Sequence, residues 1–97
     1  MPEMDYIARF HARPGQEGAI EAIFREITPH SRAEPACVFV QVYRSLRDPS
    51  WFFVHSRWTS EEAFDAHASR PHTEKLVATL EPLIDHAWDG ARVEAVS

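Results

Sequence analysis

The 97-residue sequence is poor in residues that mark several common functional classes. Its only cysteine, Cys37, allows neither an internal disulfide nor a cysteine-based metal cluster. Glycine occurs only at positions 15, 18 and 90, which excludes a glycine-rich fingerprint for dinucleotides or phosphates. The chain also lacks a Ser-His-Asp nucleophile signature and a pair of catalytic carboxylates. These absences remove the most familiar hydrolase and nucleotide-binding classes.

Long hydrophobic runs and an excess of positive charge are missing as well. The formal net charge of -5, without a basic stripe, excludes a typical nucleic-acid-binding protein. No apolar stretch approaches the roughly 20 residues of a membrane span, so we expect no membrane partner. The first residues lack the basic and apolar regions of a signal peptide. We therefore expect a cytoplasmic protein.

The first half of the chain predicts a strand, a helix and a hairpin. Residues 6–13 alternate between apolar and polar side chains, as a strand does. A helical apolar stripe follows from Ile20 to Ile27, and we expect the loop Thr28–Ala36 to end that helix. The segments Cys37–Arg44 and Trp51–Trp58 are rich in β-branched and aromatic residues and predict a β-hairpin.

The second half predicts a helical region and a last strand. Thr59 with Glu62 forms a capping box, so a helix should begin there. Ser69-Arg70-Pro71 interrupts it, and Pro71 can begin a new helix as its first residue. Residues 87–96 alternate again. The order β-α-β-β-α-β predicts one α+β, ferredoxin-like domain over residues 1–97, with helices on one face of an antiparallel four-stranded sheet.

The central strands of this predicted sheet are apolar on both faces. Val40 and Val42 alternate with Phe39 and Tyr43, and both sets would be costly to expose. A sheet with one solvated face would separate apolar from polar residues more cleanly. A partner subunit or a ligand should therefore cover the second face.

Several motifs along nearly the whole chain together resemble the antibiotic biosynthesis monooxygenase family. They are Arg13-Pro14-Gly15 after the first strand, the segments 31–37 (SRAEPAC) and 57–67 (RWTSEEAFDAH), and Ser69-Arg70-Pro71-His72. The stretch from Trp58 to His72 is the most specific. Ala36 replaces the glycine of the family's Glu-Pro-Gly-Cys turn.

The resemblance implies a homodimeric α/β barrel in which two sheets face each other. It also implies oxygenase chemistry without a cofactor. A small electron-rich aromatic substrate is deprotonated and itself reduces molecular oxygen, so neither flavin nor metal is required. Ser56 stands where many members carry a carboxylate. Haem-degrading relatives use Asn, Trp and His, but this sequence has no asparagine, and His67 and Val77 occupy the other two positions. The haem-degrading activity is therefore disfavoured.

The predicted site is centred on His67, as the catalytic proton acceptor or a substrate-positioning group. The substrate-binding residues that we predict are His72, Trp58, Tyr43, Phe53 and Arg9. Each also has a structural interpretation, such as helix packing for His67 or a surface ion pair for Arg9. His11, His55 and His67 follow no standard ligand spacing, so no metal site is predicted.

The predicted function is a cofactor-independent monooxygenase acting on an aromatic phenol, anthrone or quinol. One alternative is a non-catalytic, small-ligand-binding or stress-related dimer, which Ser56 favours. Another is a different reaction in the same cavity, such as isomerisation or lactone formation.

Overall fold

The computed structural model describes residues 2–97; residue 1 of the predicted domain lies outside them. Its elements are β1 Met4–His11, α1 Glu17–Arg32, β2 Cys37–Arg44, β3 Trp51–Trp58, α2 Glu61–Ala68, α3 Pro71–Leu80, a 3-10 turn Glu81–Leu83 and β4 Asp89–Val93. The strands form one antiparallel sheet in the order β2-β3-β1-β4. The predicted α+β, ferredoxin-like fold is confirmed, with two α-helices in the second connection. Among residues 2–97, no helix combines the length and hydropathy needed to cross a membrane.

The core lies between the helices and the inner face of the sheet. Its buried members come from strands and helices alike: Ala8, Phe10, Ala12, Ile20, Phe24, Phe52, Leu80 and Ile84. Even-numbered side chains of β1 and β3 point inward, because alternate residues of a strand face opposite sides. Odd-numbered side chains therefore form an outer face that no helix covers.

Helix α1 does not end at Thr28, as the sequence predicted, but continues through Pro29 to Arg32. A proline in a helix costs one backbone hydrogen bond. Thr28 and Ser31 are buried in this last part of the helix. The Arg32 guanidinium also donates two hydrogen bonds, of 3.2 and 3.0 Å, to the Val40 carbonyl oxygen and so holds the last turn to β2.

Helix α2 is capped by Ser60 and not by the predicted Thr59. The Ser60 hydroxyl accepts a hydrogen bond of 3.1 Å from the Ala63 amide. Thr59 is still tied to the end of the sheet, because its amide donates to the Ala36 carbonyl at 3.0 Å. The predicted start of α3 at Pro71 is confirmed.

Strand β4 is shorter than the predicted segment 87–96. It pairs only with β1 and exposes all five of its residues, so little apolar burial is available to extend it. Trp88, just before it, packs against Phe10 instead, with ring centroids 5.4 Å apart. Gly90 leaves room for Tyr6, since a Cβ there would overlap the Tyr6 hydroxyl.

Candidate active site

A cavity of about 250 Å³ lies between the inner face of the sheet and the helices. Most of its wall is apolar, with His67 as its only histidine among the residues described. The lining residues are Tyr6, Phe10, Phe24, Ile27, Thr28, Ser31, Val40, Val42, Val54, Ser56, Trp58, Phe64, His67, Ala68, Thr73, Leu76, Val77, Leu80 and Trp88. An apolar cavity with a few polar groups is the usual form of a small-molecule site.

Two histidines converge on one carboxylate beside this cavity. Glu34 Oε2 lies 2.7 Å from His67 Nδ1 and 2.8 Å from His72 Nε2. The other oxygen of Glu34 lies 3.3 Å from Arg70 Nε. We call Glu34, His67 and His72 the Glu34 cluster. All three side chains are largely buried, while Arg70 is half exposed.

Local chain geometry brings the Glu34 cluster together. The break at Ser69-Arg70 puts His67 in the last turn of α2 and His72 in the first turn of α3, so both rings face the same space. Glu34 lies in the turn between α1 and β2, where its amide donates to the Ser31 carbonyl at 3.1 Å. Its carbonyl accepts from the Cys37 amide at 3.0 Å. This turn presents the carboxylate to the helix break.

The hydrogen bonds define the protonation of His67. A carboxylate only accepts, so Nδ1 carries the hydrogen that is donated to Glu34. Burial lowers the pKa of His67 from its ordinary value of 6.5, although Glu34 opposes this by stabilising the imidazolium. The nearby His72 and Arg70 lower the pKa further. Near neutral pH the ring is therefore neutral, with a lone pair on Nε2, as a general base requires.

Aromatic rings build the wall around this histidine. Trp58 is buried and lies 4.3 Å from the His67 ring, centroid to centroid. Its indole N–H donates to the Ser56 hydroxyl at 3.0 Å, which fixes the plane of the ring. Phe64 lies 5.8 Å from both His67 and Trp58, so the three rings form one contiguous cluster. Tyr6 accepts a hydrogen bond of 3.1 Å from the Trp88 indole and closes the far wall.

The structure divides the predicted site residues between the two faces of the sheet. His67 and Trp58 line the cavity, and His72 reaches the Glu34 cluster behind it. Arg9, Phe53 and Tyr43 lie side by side on the outer face, because Phe53 is paired with both of the others in the sheet register. The structure therefore does not bring all six predicted residues together within one chain. The alternation of the strands separates them, and roles for the three outer residues stay predictions.

The histidines weighed in the sequence as a metal group do not meet. His11 and His55 lie on neighbouring strands but four positions apart in register, since His11 is paired with Trp51 and His55 with Ile7. His67 belongs to α2 and lines the cavity on the other side of the sheet.

Sequence reasoning missed Glu34, which organises the polar end of the site. Glu34 is 33 residues from His67 and 38 from His72 along the chain. No local periodicity connects positions so far apart. The available signal was an acidic residue before Pro35 in a segment that resembles the family motif. Thr73, whose hydroxyl lies 3.5 Å from His67 Nε2, was missed as well.

Comparisons with solved structures support the fold. A crystal structure of an antibiotic biosynthesis monooxygenase superposes with a TM-score of 0.91 at 22% identity, covering 97% of this chain and 99% of that one. Rv0793 from Mycobacterium tuberculosis gives a TM-score of 0.91 at 24% identity, with coverages of 98% and 96%. SnoaB, a cofactor-independent oxygenase from Streptomyces nogalater crystallised as the mutant N63A, gives 0.88 at 18% identity, with coverages of 100% and 96%.

Sequence comparison identifies the family. No curated protein matches the chain. The profile of a protein family, described as "Antibiotic biosynthesis monooxygenase", matches residues 6–79. That range includes most of β1, all of β2 and β3, the Glu34 cluster and nearly all of α3. The chain therefore belongs to the antibiotic biosynthesis monooxygenase family.

Proposed function

We propose that this protein is a cofactor-independent monooxygenase for an aromatic phenol, anthrone or quinol, with His67 as the proton acceptor. The observation that carries the proposal is a histidine, oriented by Glu34, in the wall of an apolar, aromatic cavity, where burial lowers the histidine's pKa. The similarity in fold to SnoaB, a cofactor-independent oxygenase, supports it.

The chemistry needs one base and a dry pocket. His67 Nε2 removes a proton from the substrate, and the resulting electron-rich anion reduces oxygen. For an anthrone, a CH₂ group and O₂ become a C=O group and H₂O, so the substrate supplies every electron. Glu34 stabilises the imidazolium that forms, in the way that a buried carboxylate supports a catalytic histidine. The apolar wall keeps water from competing for the anion.

The size of the cavity favours a small ring system. A cavity of roughly 150 Å³ is enough to bind benzene. The observed 250 Å³ therefore accommodates one substituted aromatic ring, such as a quinol or a simple phenol. Trp58 and Phe64 lie next to each other beside His67, with rings tilted to it, and provide aromatic faces for offset stacking. A tricyclic anthrone would require the helices to move apart.

The proposal includes a homodimer formed through the outer face of the sheet. Ile7 and Tyr43 are 46% and 50% exposed there, beside the half-buried Phe53 and Phe39. Covering them removes apolar area from water, which stabilises association. We expect Ile7→Glu to yield monomers in light scattering. Leu46→Glu, which changes a fully exposed residue in the β2–β3 loop, should leave the dimer intact.

Oxygen uptake tests the proposed activity. Purified protein with a chelator and no added cofactor is offered reduced quinols, phenols and anthrones. We expect uptake above the spontaneous rate, and a fall of about 10²- to 10⁴-fold in His67→Ala, the usual contribution of a general base. His86→Ala is the matched control, because His86 is exposed after the 3-10 turn and does not line the cavity.

The same assay separates the other candidate functions. Tight ligand binding without turnover would favour a non-catalytic binding protein. Turnover that persists without oxygen would indicate another reaction in the cavity, such as isomerisation. Oxygen uptake that is unchanged in His67→Ala would remove His67 from the mechanism.

A further inference from the structure

A second cluster of two histidines and one carboxylate lies at the other end of β3, outside the cavity. It consists of His11, at the end of β1, and Asp85 and His86, after the 3-10 turn; we call it the His11 cluster. The backbone holds these segments together, because the Asp85 amide donates to the His11 carbonyl at 3.1 Å. Ala12 and Ile84 form a β-bridge beside them. Backbone hydrogen bonds therefore hold the two segments that carry this cluster next to each other.

The nitrogen and oxygen atoms of this cluster converge. His11 Nδ1 lies 2.5 Å from Asp85 Oδ2, and His86 Nδ1 contacts the other oxygen, Oδ1. The three potential ligand atoms all lie within 4.8 Å of one another. Within residues 2–97, the only ion-pair partners of Asp85 are these two imidazoles. No arginine or lysine of that range therefore forms an ion pair with its carboxylate, and Arg13 lines the same cleft without reaching it.

Hydrogen bonds on the far side of His11 determine its protonation. Ser50 Oγ lies 2.5 Å from Asp48 Oδ1, a separation that requires a hydrogen between the oxygens. A carboxylate only accepts, so the Ser50 hydroxyl donates to Asp48. Ser50 must then accept from His11 Nε2, which lies 3.0 Å away. Nε2 carries a hydrogen, and Nδ1 faces the Asp85 carboxylate with either a second proton or a lone pair.

At 2.5 Å, the gap between His11 Nδ1 and Asp85 Oδ2 holds a hydrogen. Loss of that hydrogen as a proton leaves a lone pair facing a carboxylate. A metal ion with bonds of about 2.0–2.2 Å to each ligand takes the proton's place once the two side chains move slightly apart. We propose that the His11 cluster binds a divalent transition-metal ion of the Zn²⁺ type, through His11 Nδ1, an Asp85 oxygen and His86 Nδ1. Two imidazoles and a carboxylate suit such ions, whereas Mg²⁺ and Ca²⁺ prefer oxygen ligands. Ser50 and Asp48 form the outer hydrogen-bond chain that orients a metal-ligating histidine.

The remaining coordination positions are open to solvent. Asp85 and His86 line a wide cleft of about 510 Å³, together with Arg13, Glu81 and Trp88 among others. Water can therefore complete the coordination of the ion. The site is separate from the His67 cavity, so it stands whether or not the proposed oxygenase activity does. It departs from the sequence prediction of no metal because Asp85 and His86 are 74 and 75 positions from His11 along the chain.

Calorimetric titration with ZnCl₂ tests the site. The protein is tag-free, freed of metal with a chelator and then exchanged into chelator-free buffer. We expect one zinc ion per chain, with visible absorption bands when Co²⁺ replaces it. Affinity should fall more than about 100-fold in His86→Ala and in Asp85→Asn, and about tenfold in Ser50→Ala, the range typical of an outer hydrogen-bond partner. Asn has the same shape as Asp, so Asp85→Asn still tests the site if His86→Ala fails to fold.

His72→Ala is the matched control from the Glu34 cluster and should bind zinc as the unaltered chain does. Absence of zinc binding by the unaltered protein would overturn the proposal and leave a proton between His11 and Asp85. Binding that survives both His86→Ala and Asp85→Asn would overturn it as well. So would zinc binding that disappears in His72→Ala, since the ion would then belong to the Glu34 cluster.

Discussion

The Glu34 cluster and the His11 cluster each contain two histidines and one carboxylate, and they lie near opposite ends of β3. His67 stacks on Trp58 with ring centroids 4.3 Å apart, and His11 stacks on Trp51 at 4.5 Å. The two tryptophans are separated by about 23 Å of extended strand. Side-chain exposure is 9–18% in the Glu34 cluster and 27–53% in the His11 cluster. Similar ligand sets have therefore been placed in different surroundings.

The neighbouring charges differ more than the ligands do. Arg70 approaches Glu34 at 3.3 Å, so the carboxylate already has a permanent cation beside it, and a metal ion would be repelled. Asp85 has only imidazoles as ion-pair partners within the described part of the chain. A set of two histidines and one carboxylate therefore does not by itself define a metal site. Burial and a nearby guanidinium favour proton transfer, and their absence favours a metal.

The largest expected effect is a crossed pattern, in which one variant of each cluster loses a different property. In His67→Ala, oxygen uptake should fall by about 10²-fold or more, because His67 is the proposed base. This variant should still bind zinc, because the proposed zinc ligands belong to the His11 cluster. His86→Ala should lose zinc binding and keep oxygen uptake. Oxygen electrode and calorimetric measurements on both variants check this crossed pattern. A variant that loses both properties would show that the clusters are not independent.

Glu34→Gln should have the next largest effect. Uptake should fall by up to about 10²-fold, less than the full contribution of the base, since the amide oxygen can still accept one ring hydrogen. Removing the carboxylate also removes the interaction that raises the pKa of His67, so the acid limb of the pH–rate profile should move to lower pH. Full pH profiles of both proteins check this. A lower rate with an unmoved profile would indicate a structural role only.

Arg70→Met tests whether the guanidinium keeps metal ions out of the Glu34 cluster. Without the guanidinium, we expect the Glu34 cluster to bind Zn²⁺ about tenfold more tightly, the change that 1.4 kcal/mol of removed repulsion produces. Calorimetry should then detect a second zinc ion per chain. Lys75→Met is a matched control, because Lys75 lies on α3 and pairs with Glu26 away from both clusters. If no second site emerged, burial rather than Arg70 would be what keeps metal out.

Acid stability gives the smallest expected effect. Because the folded pKa of His67 is lowered below 6.5, the unfolded chain binds the proton first as the pH falls. The contribution of His67 to the free energy of unfolding is therefore fully present above pH 6.5 and is lost as the pH falls below that value. His67→Gln should weaken this loss, by at most about 1.4 kcal/mol per pH unit, the limit for one proton. Urea unfolding at several pH values measures the free energy of unfolding of both proteins. The same pH dependence in both would contradict the prediction.

Local patterns in the sequence determined much of the fold. The bounds of β2 and β3 agree residue for residue with the predicted segments, and Pro71 begins α3 as expected. Hydrophobic alternation and proline geometry act over a few residues, so they can be read without the tertiary structure. The family resemblance also followed from contiguous motifs between Arg13 and His72. His67 could be placed on the sheet-facing side of α2 for the same reason.

Only the tertiary structure decided which side chains meet. The sheet register places Tyr43 and Phe53 on the face opposite His67, and a bulge at Val38 shifts the pairing at the start of β2. Glu34 reaches His67 across 33 residues, and Asp85 reaches His11 across 74. Long-range contacts depend on register and on how helices pack onto the sheet, and local periodicity carries neither. Local sequence was therefore sufficient for the family and the order of the elements, while their packing fixed several element ends and the carboxylate that each histidine contacts.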